Sequence, residues 1–151
     1  MTKAFVGIGS NLGEREAYLR RALQLLAAEE GIDVVAVSEL RETDPVGPVE
    51  QGRFVNGAAL LETELSPREL LGRLLTIEGR LGRVRNERFG PRTIDLDLLV
   101  YGDAMVDEPG LTVPHPRLHE RRFALEPLAD LAPDLVIPGR GPISALLAEL
   151  V

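Results

Sequence analysis

The sequence predicts an α+β fold, a ferredoxin-like two-layer sandwich in which an antiparallel sheet carries its helices on one face. Three observations point there. The apolar patterns fall in the order strand, helix, strand, strand, helix, strand. Period-two alternation marks the strand segments and 3.6-residue spacing the helical ones, and glycine and proline cluster at the junctions. With 151 residues and 44% hydrophobic content, the chain has the length for one core, so 1–151 is read as a single domain.

Ala4 to Gly9 reads as a short buried strand, ended by Gly9, Ser10 and Asn11. A helix from about Glu14 to Glu30 follows, with Tyr18, Ala22, Leu25 and Leu26 on its buried side and Gly31 as its stop. Ile32 to Leu40 is β-branched and strand-like. Arg41 to Arg53 contains two prolines and two glycines and is read as a long loop. Phe54 to Leu61 is a third strand, on which Phe54 and Asn56 point the same way. Ser66-Pro67-Arg68-Glu69 is a capping box with proline at the first helical position. The helix it opens runs to about Leu81 and carries Leu70, Leu71, Leu74, Ile77 and Glu78, with Gly82 as its stop.

Next comes a glycine- and proline-bounded segment that gathers Arg83, Arg85, Arg88 and Arg92. From Thr93 to Val100 alternation puts Ile94, Leu96, Leu98 and Val100 on one strand face and Asp95, Asp97 and Leu99 on the other. Tyr101-Gly102-Asp103 turns the chain toward Ala104 to Val106. From Leu111 the pattern is irregular until short helical segments at Ala124 to Leu131 and Ile143 to Leu150. The uncovered sheet face would then present Phe54, Asn56, Asp95 and Asp97 as one polar-aromatic floor.

That pattern has a chemical reading. Carboxylates two residues apart on a strand have α-carbons about 6.5 Å apart, from which both can reach hard, oxygen-preferring cations such as Mg²⁺. Arginines nearby can spread their planar donor forks over phosphate oxygens. A metal-bound polyphosphate fits both, although an isolated D-x-D is more often a solvated strand face. The formal charge of −7 argues against a broad nucleic-acid or anionic-membrane surface, which leaves the arginines as a local focus for a small anion. With no cysteine there is no disulfide framework and no thiolate ligand or nucleophile. The N-terminus lacks the basic and apolar regions of a secretory signal, and no apolar run approaches the ~20 residues of a membrane span. A cytoplasmic protein with no membrane or nucleic-acid partner is the expectation.

GPRTIDLDLLVYGD and LTVPHPRLHERRFALEPLADLAPDL, with VGIGSNLGERE, ETDPVGP, FVNGAALLET and IEGRLGRVR before them, resemble the signature of the 6-hydroxymethyl-7,8-dihydropterin pyrophosphokinases of folate biosynthesis. The resemblance extends over nearly the whole chain, and several segments in order are far more specific than one short motif. It implies transfer of the β,γ-pyrophosphoryl group of ATP to the hydroxymethyl oxygen of the dihydropterin, with AMP leaving. It also implies that Asp95 and Asp97 bind two Mg²⁺ ions, and that Arg83 and Arg92 are catalytic with Arg85 and Arg88 assisting. By the same resemblance the pterin would meet Thr43, Asp44, Val46, Phe54, Asn56 and Phe123. ATP would meet Glu78, Arg85, Arg88, Arg92, Leu98, Leu111, Thr112, His115 and Arg121, largely through backbone groups at its adenine. The chain departs from some relatives at Asp44, Leu75, Phe89, Gly110 and Pro116, which touches individual ATP contacts. It reads as a monofunctional monomer.

Taken singly, several of these residues have plainer readings. His115 between two prolines could occupy a rigid turn, Phe54 and Phe123 could be core residues, and Glu78 could be a surface residue paired with an arginine. Two other functions are weighed against the pyrophosphokinase. A two-metal nucleotidyltransferase would release pyrophosphate rather than AMP, and an RNA-binding or regulatory module would need a basic, aromatic sheet that 4% aromatic content does not supply.

Overall fold

The computed structural model describes residues 1–10, 15–43, 54–81 and 94–150. Its frame consists of β1 (Thr2–Ser10), α1 (Arg15–Ala27), β2 (Ile32–Val37), β3 (Arg41–Thr43), β4 (Phe54–Thr63), α2 (Pro67–Arg80) and β5 (Asp95–Tyr101). Then follow β6 (Val106–Glu108), β7 (Leu111–Val113), a 3₁₀ turn (Leu118–Glu120), α3 (Arg122–Leu131), β8 (Val136–Ile137), β9 (Gly141–Pro142) and α4 (Ile143–Glu149). The main sheet has the order β2-β4-β1-β5, with β3 also on β4, and every pairing is antiparallel. This is the α+β order that the strand and helix patterns predict.

Alternation along the strands builds the core. Ala4, Val6 and Ile8 of β1, Ile94 just before β5, and Leu96 and Leu98 of β5 meet Leu19, Ala22 and Leu26 of α1 and Leu70, Leu74 and Ile77 of α2. Tyr18 and Leu25 pack at the border of this layer. Helix α2 starts where its capping box predicts: Ser66 Oγ accepts from the Glu69 N–H at 3.2 Å, and the Ser66 N–H donates to Glu69 Oε1 at 2.9 Å. Two C-terminal helices then cover part of the opposite face, where Leu125 and Leu128 of α3 and Ile143 and Leu146 of α4 pack on Phe5, Ala58, Leu99 and Val100. The end of that face bearing Asn56, Asp95 and Asp97 lies outside this second cluster.

Three local expectations are corrected. Arg41–Thr43, placed in a loop by its proline- and glycine-rich continuation, is strand β3. Ser38 makes the corner that allows this: its N–H donates to the Ala58 carbonyl at 2.9 Å and its Oγ accepts from the Ala58 N–H at 2.8 Å, so the chain stays on β4 while β2 gives way to β3. The segment around Leu111 is not irregular but forms the β6–β7 hairpin, with Gly110 at its turn (φ +78°). Strands of three residues are too short to show a period. Finally, Val100 does not share a face with Ile94, Leu96 and Leu98. β1 pairs Val6 with Leu98 but Phe5 with Val100, so Leu99 is an extra, bulged residue and Val100 turns to the second cluster.

Candidate active site

Strand register assembles the floor of the site. Arg41, Asn56, Gly9 and Asp95 lie in one row across β3, β4, β1 and β5. Ala58, Gly7 and Asp97 form the next row on the same face. Thr43 and Phe54 pair at the end of β3 and β4. Two glycines therefore occupy the middle of the floor. A β-carbon on Gly9 would stand 2.7 Å from Asn56 Oδ1, and one on Gly7 would stand 3.2 Å from Leu99 Cδ1. The missing side chains let the Asn56 amide and the Leu99 side chain lie close over the sheet at these two positions. Gly9 was expected to end its strand; the signal that could have found this role is the Gly-Ile-Gly alternation, which puts both glycines on one face.

Asp95 is half-buried and Asp97 exposed, on the same side of β5. Among the described residues no cluster of three or more His, Cys, Asp or Glu side chains could enclose a metal. A pair of carboxylates nevertheless suits Mg²⁺, which keeps much of its octahedral shell as water and substrate phosphate oxygen.

β5 is an edge strand, and an open cleft of about 330 Å³ follows its outer side. Asp95 to Leu98 form the cleft's base, Leu71, Leu75 and Glu78 of α2 one wall, and Gly110, Leu111, Thr112, His115 and Pro116 the other. Glu78 is not the surface residue that its helix position allowed. It is 3% exposed, and its Oε2 accepts from the Leu96 N–H at 2.7 Å. A buried carboxylate thus satisfies a donor on the strand edge and fixes the residue between Asp95 and Asp97. Leu111 is buried, Thr112 exposed and Leu98 buried with its backbone at the cleft base.

His115 is held at the far wall. Its N–H donates to the carbonyl of the bulged Leu99 at 2.9 Å, and its Nδ1 accepts from the Arg117 N–H at 3.2 Å. The imidazole proton therefore sits on Nε2. Burial, and then the Arg121 and Arg117 charges, hold the imidazole pKa below its ordinary 6.5. The Arg121 guanidinium carbon lies 5.7 Å from the centroid of the Phe123 ring, within cation–π range. Two residues assigned to different substrates by resemblance are therefore neighbours. Asp44, Val46, Arg83, Arg85, Arg88 and Arg92 lie outside the described residues, as do Phe89 and Gly82.

Against known proteins, the family model described as 7,8-dihydro-6-hydroxymethylpterin-pyrophosphokinase matches residues 5–133. A 2-amino-4-hydroxy-6-hydroxymethyldihydropteridine pyrophosphokinase of Methylorubrum extorquens is 50% identical over 139 residues, covering 92% of this chain and 88% of its own. The enzyme of the same name from Pseudomonas aeruginosa is 47% identical over 146 residues, covering 97% and 90%. Among solved structures, an HPPK-DHPS in complex with substrates superposes with a TM-score of 0.77 at 12% identity, over 97% of this chain and 43% of that one. The Plasmodium falciparum HPPK-DHPS gives 0.76 at 13% identity, over 98% and 45%. This chain spans less than half the length of those two, and at such identities the likeness is one of fold.

Proposed function

The chain belongs to the 7,8-dihydro-6-hydroxymethylpterin-pyrophosphokinase family, and we propose that its open sheet face and its β5 edge divide that family's reaction between them. It is an ATP-dependent transferase of folate biosynthesis, moving the β,γ-pyrophosphoryl group of ATP to 6-hydroxymethyl-7,8-dihydropterin and releasing AMP. The observation that carries the division of labour is that one strand serves both sides: Asp95 and Asp97 belong to the floor rows and also line the edge cleft.

In this reading the pterin lies at the Asn56 end of the floor, with Asn56 and the backbone of Thr43, Asp44 and Val46 reading its polar edge and Phe54 and Phe123 enclosing its ring. ATP occupies the edge cleft. Backbone groups of Leu98 and Leu111 address the adenine, Glu78 holds the strand that forms the cleft base, and Thr112, His115 and Arg121 face the ribose and phosphates. Neutral His115 would offer an Nε2–H donor to a phosphate oxygen. Asp95 and Asp97 would hold Mg²⁺, two ions in this reading, which supplies charge neutralisation on the triphosphate and activation of the attacking hydroxyl. The hydroxymethyl oxygen bonds to the β-phosphorus and releases its proton to solvent while the bridge between the α- and β-phosphates breaks, and AMP departs with the bridging oxygen. Arg83 and Arg92 place guanidinium donors on the transferring group, with Arg85 and Arg88 adding positive charge, because such transfers are governed by positioning and charge neutralisation.

We read 1–151 as one pyrophosphokinase domain, working as a monomer in the cytoplasm. Among the described residues no helix is long and apolar enough to cross a membrane. The deciding experiment incubates the protein with Mg²⁺, ATP and the dihydropterin and weighs the products. AMP with a pterin diphosphate is the expected pair. ADP with a pterin monophosphate, or pyrophosphate with an adenylylated pterin, would overturn the assignment of β-phosphorus attack.

A further inference from the structure

We propose that Arg41 is a positioning residue for the pterin side of the site. The inference rests on the reading above that the pterin lies between the Thr43 end of β3 and Phe123. Arg41 stands directly opposite Asn56 in the floor row that continues through Gly9 to Asp95. From β3 its Nη2 crosses to α3 and meets the Asp130 carboxylate, at 2.8 Å to Oδ2 and 3.1 Å to Oδ1. The two side chains are 34% and 35% exposed, so the contact is partly shielded from water and salt.

Its place in the fold gives this ion pair its meaning. β3 has three residues and, in the sheet, pairs with β4 alone, and so short a strand is poorly held by ladder hydrogen bonds. β3 ends at Thr43, while α3 begins at Arg122 beside Phe123. One contact across 89 residues of sequence therefore ties together the two elements that carry opposite walls of the pterin subsite. Arg41 Nη1 is also buried without a hydrogen-bond partner. Leaving a charged donor unpaired is costly, and in the row beside Asn56 that donor stands ready for an acceptor that enters with the pterin.

Steady-state kinetics with each substrate varied in turn test the proposal. For Arg41→Ala we expect the KM for the dihydropterin to rise about 5- to 20-fold while kcat and the KM for ATP change less than about twofold. Arg41→Lys, which keeps a cation opposite Asp130, should recover part of the loss, and Asp130→Asn should reproduce it. The Arg41→Ala/Asp130→Asn double variant should be no worse than Arg41→Ala alone, because the two residues act as one contact. An unchanged pterin KM in Arg41→Ala and Asp130→Asn, or an equal rise in both KM values, would overturn the proposal. Should Arg41→Ala not fold, the milder Arg41→Lys and Asp130→Asn variants carry the same comparison. Asn56→Ala tests the subsite itself: if it raises the pterin KM and the Arg41 variants do not, the subsite stands and the inference fails, and if none does, both fail.

Discussion

Single residues in this site act through the charge they place. Asp97 is exposed on the floor beside Gly7, so replacing its carboxylate by an amide removes the proposed metal ligand and buries nothing new. Asp97→Asn should therefore lower kcat by roughly 10²- to 10³-fold; near-normal turnover in Mg²⁺ would take Asp97 out of the metal role. His115 gives a pH signature of known sign. Its folded pKa lies below 6.5 because burial and two arginine charges oppose protonation, so the unfolded chain binds the proton more readily. The stability that neutral His115 contributes is complete above pH 6.5 and is lost as pH falls through the depressed folded value. Thermal unfolding should show wild type losing more of its midpoint than His115→Gln as pH drops below 6.5, and parallel curves would contradict this. At this scale the sequence was legible where a period decided the matter, as for Asp95 and Asp97. It did not show the part of Gly7 and Gly9, which is to lack a side chain, and it left the surface reading of Glu78 open, because that residue's burial depends on which strand edge its helix meets.

Elements position these residues through a few contacts across long stretches of sequence. The Glu78 carboxylate bridges α2 to β5 at Leu96, so Glu78→Ala leaves a buried N–H unpaired on the strand that carries both aspartates. We expect a loss of about 1–3 kcal/mol in denaturant unfolding together with a raised KM for ATP, and a smaller loss for Glu78→Gln, which keeps an acceptor. Equal effects of the two substitutions would show that the hydrogen bond matters less than the packing of the side chain. Helix α2 was readable almost to the residue because its capping box is local chemistry. Strand β3 and the β6–β7 hairpin were not, since each has three-residue strands held by partners far along the chain or by a turn glycine rather than by a pattern of their own.

For the whole molecule, the proposed reading has two substrates share one strand, so ligand binding and folding are linked. Mg²⁺–ATP at 100 times its dissociation constant should stabilise the protein by about 2.7 kcal/mol, seen as a raised midpoint that EDTA largely abolishes and that Asp95→Asn/Asp97→Asn lacks. A shift indifferent to EDTA would mean that the nucleotide binds without the metal pair. The strand order was foreseeable from the alternating elements, but the second cluster of helices was not, because α3 and α4 pack on the face to which β5 turns Asp95 and Asp97, and two carboxylates read as an open face. That residue repays a closer look. Deleting it would leave Val6 opposite Leu98 and Phe5 opposite Val100 as they are now, turning β5 into an uninterrupted ladder. The same deletion would strip the cover from Gly7 and remove the carbonyl to which His115 is moored. A chain shortened by this one residue would have the more regular sheet and the poorer catalyst, which makes the irregularity a hinge pin between scaffold and chemistry rather than a flaw in either.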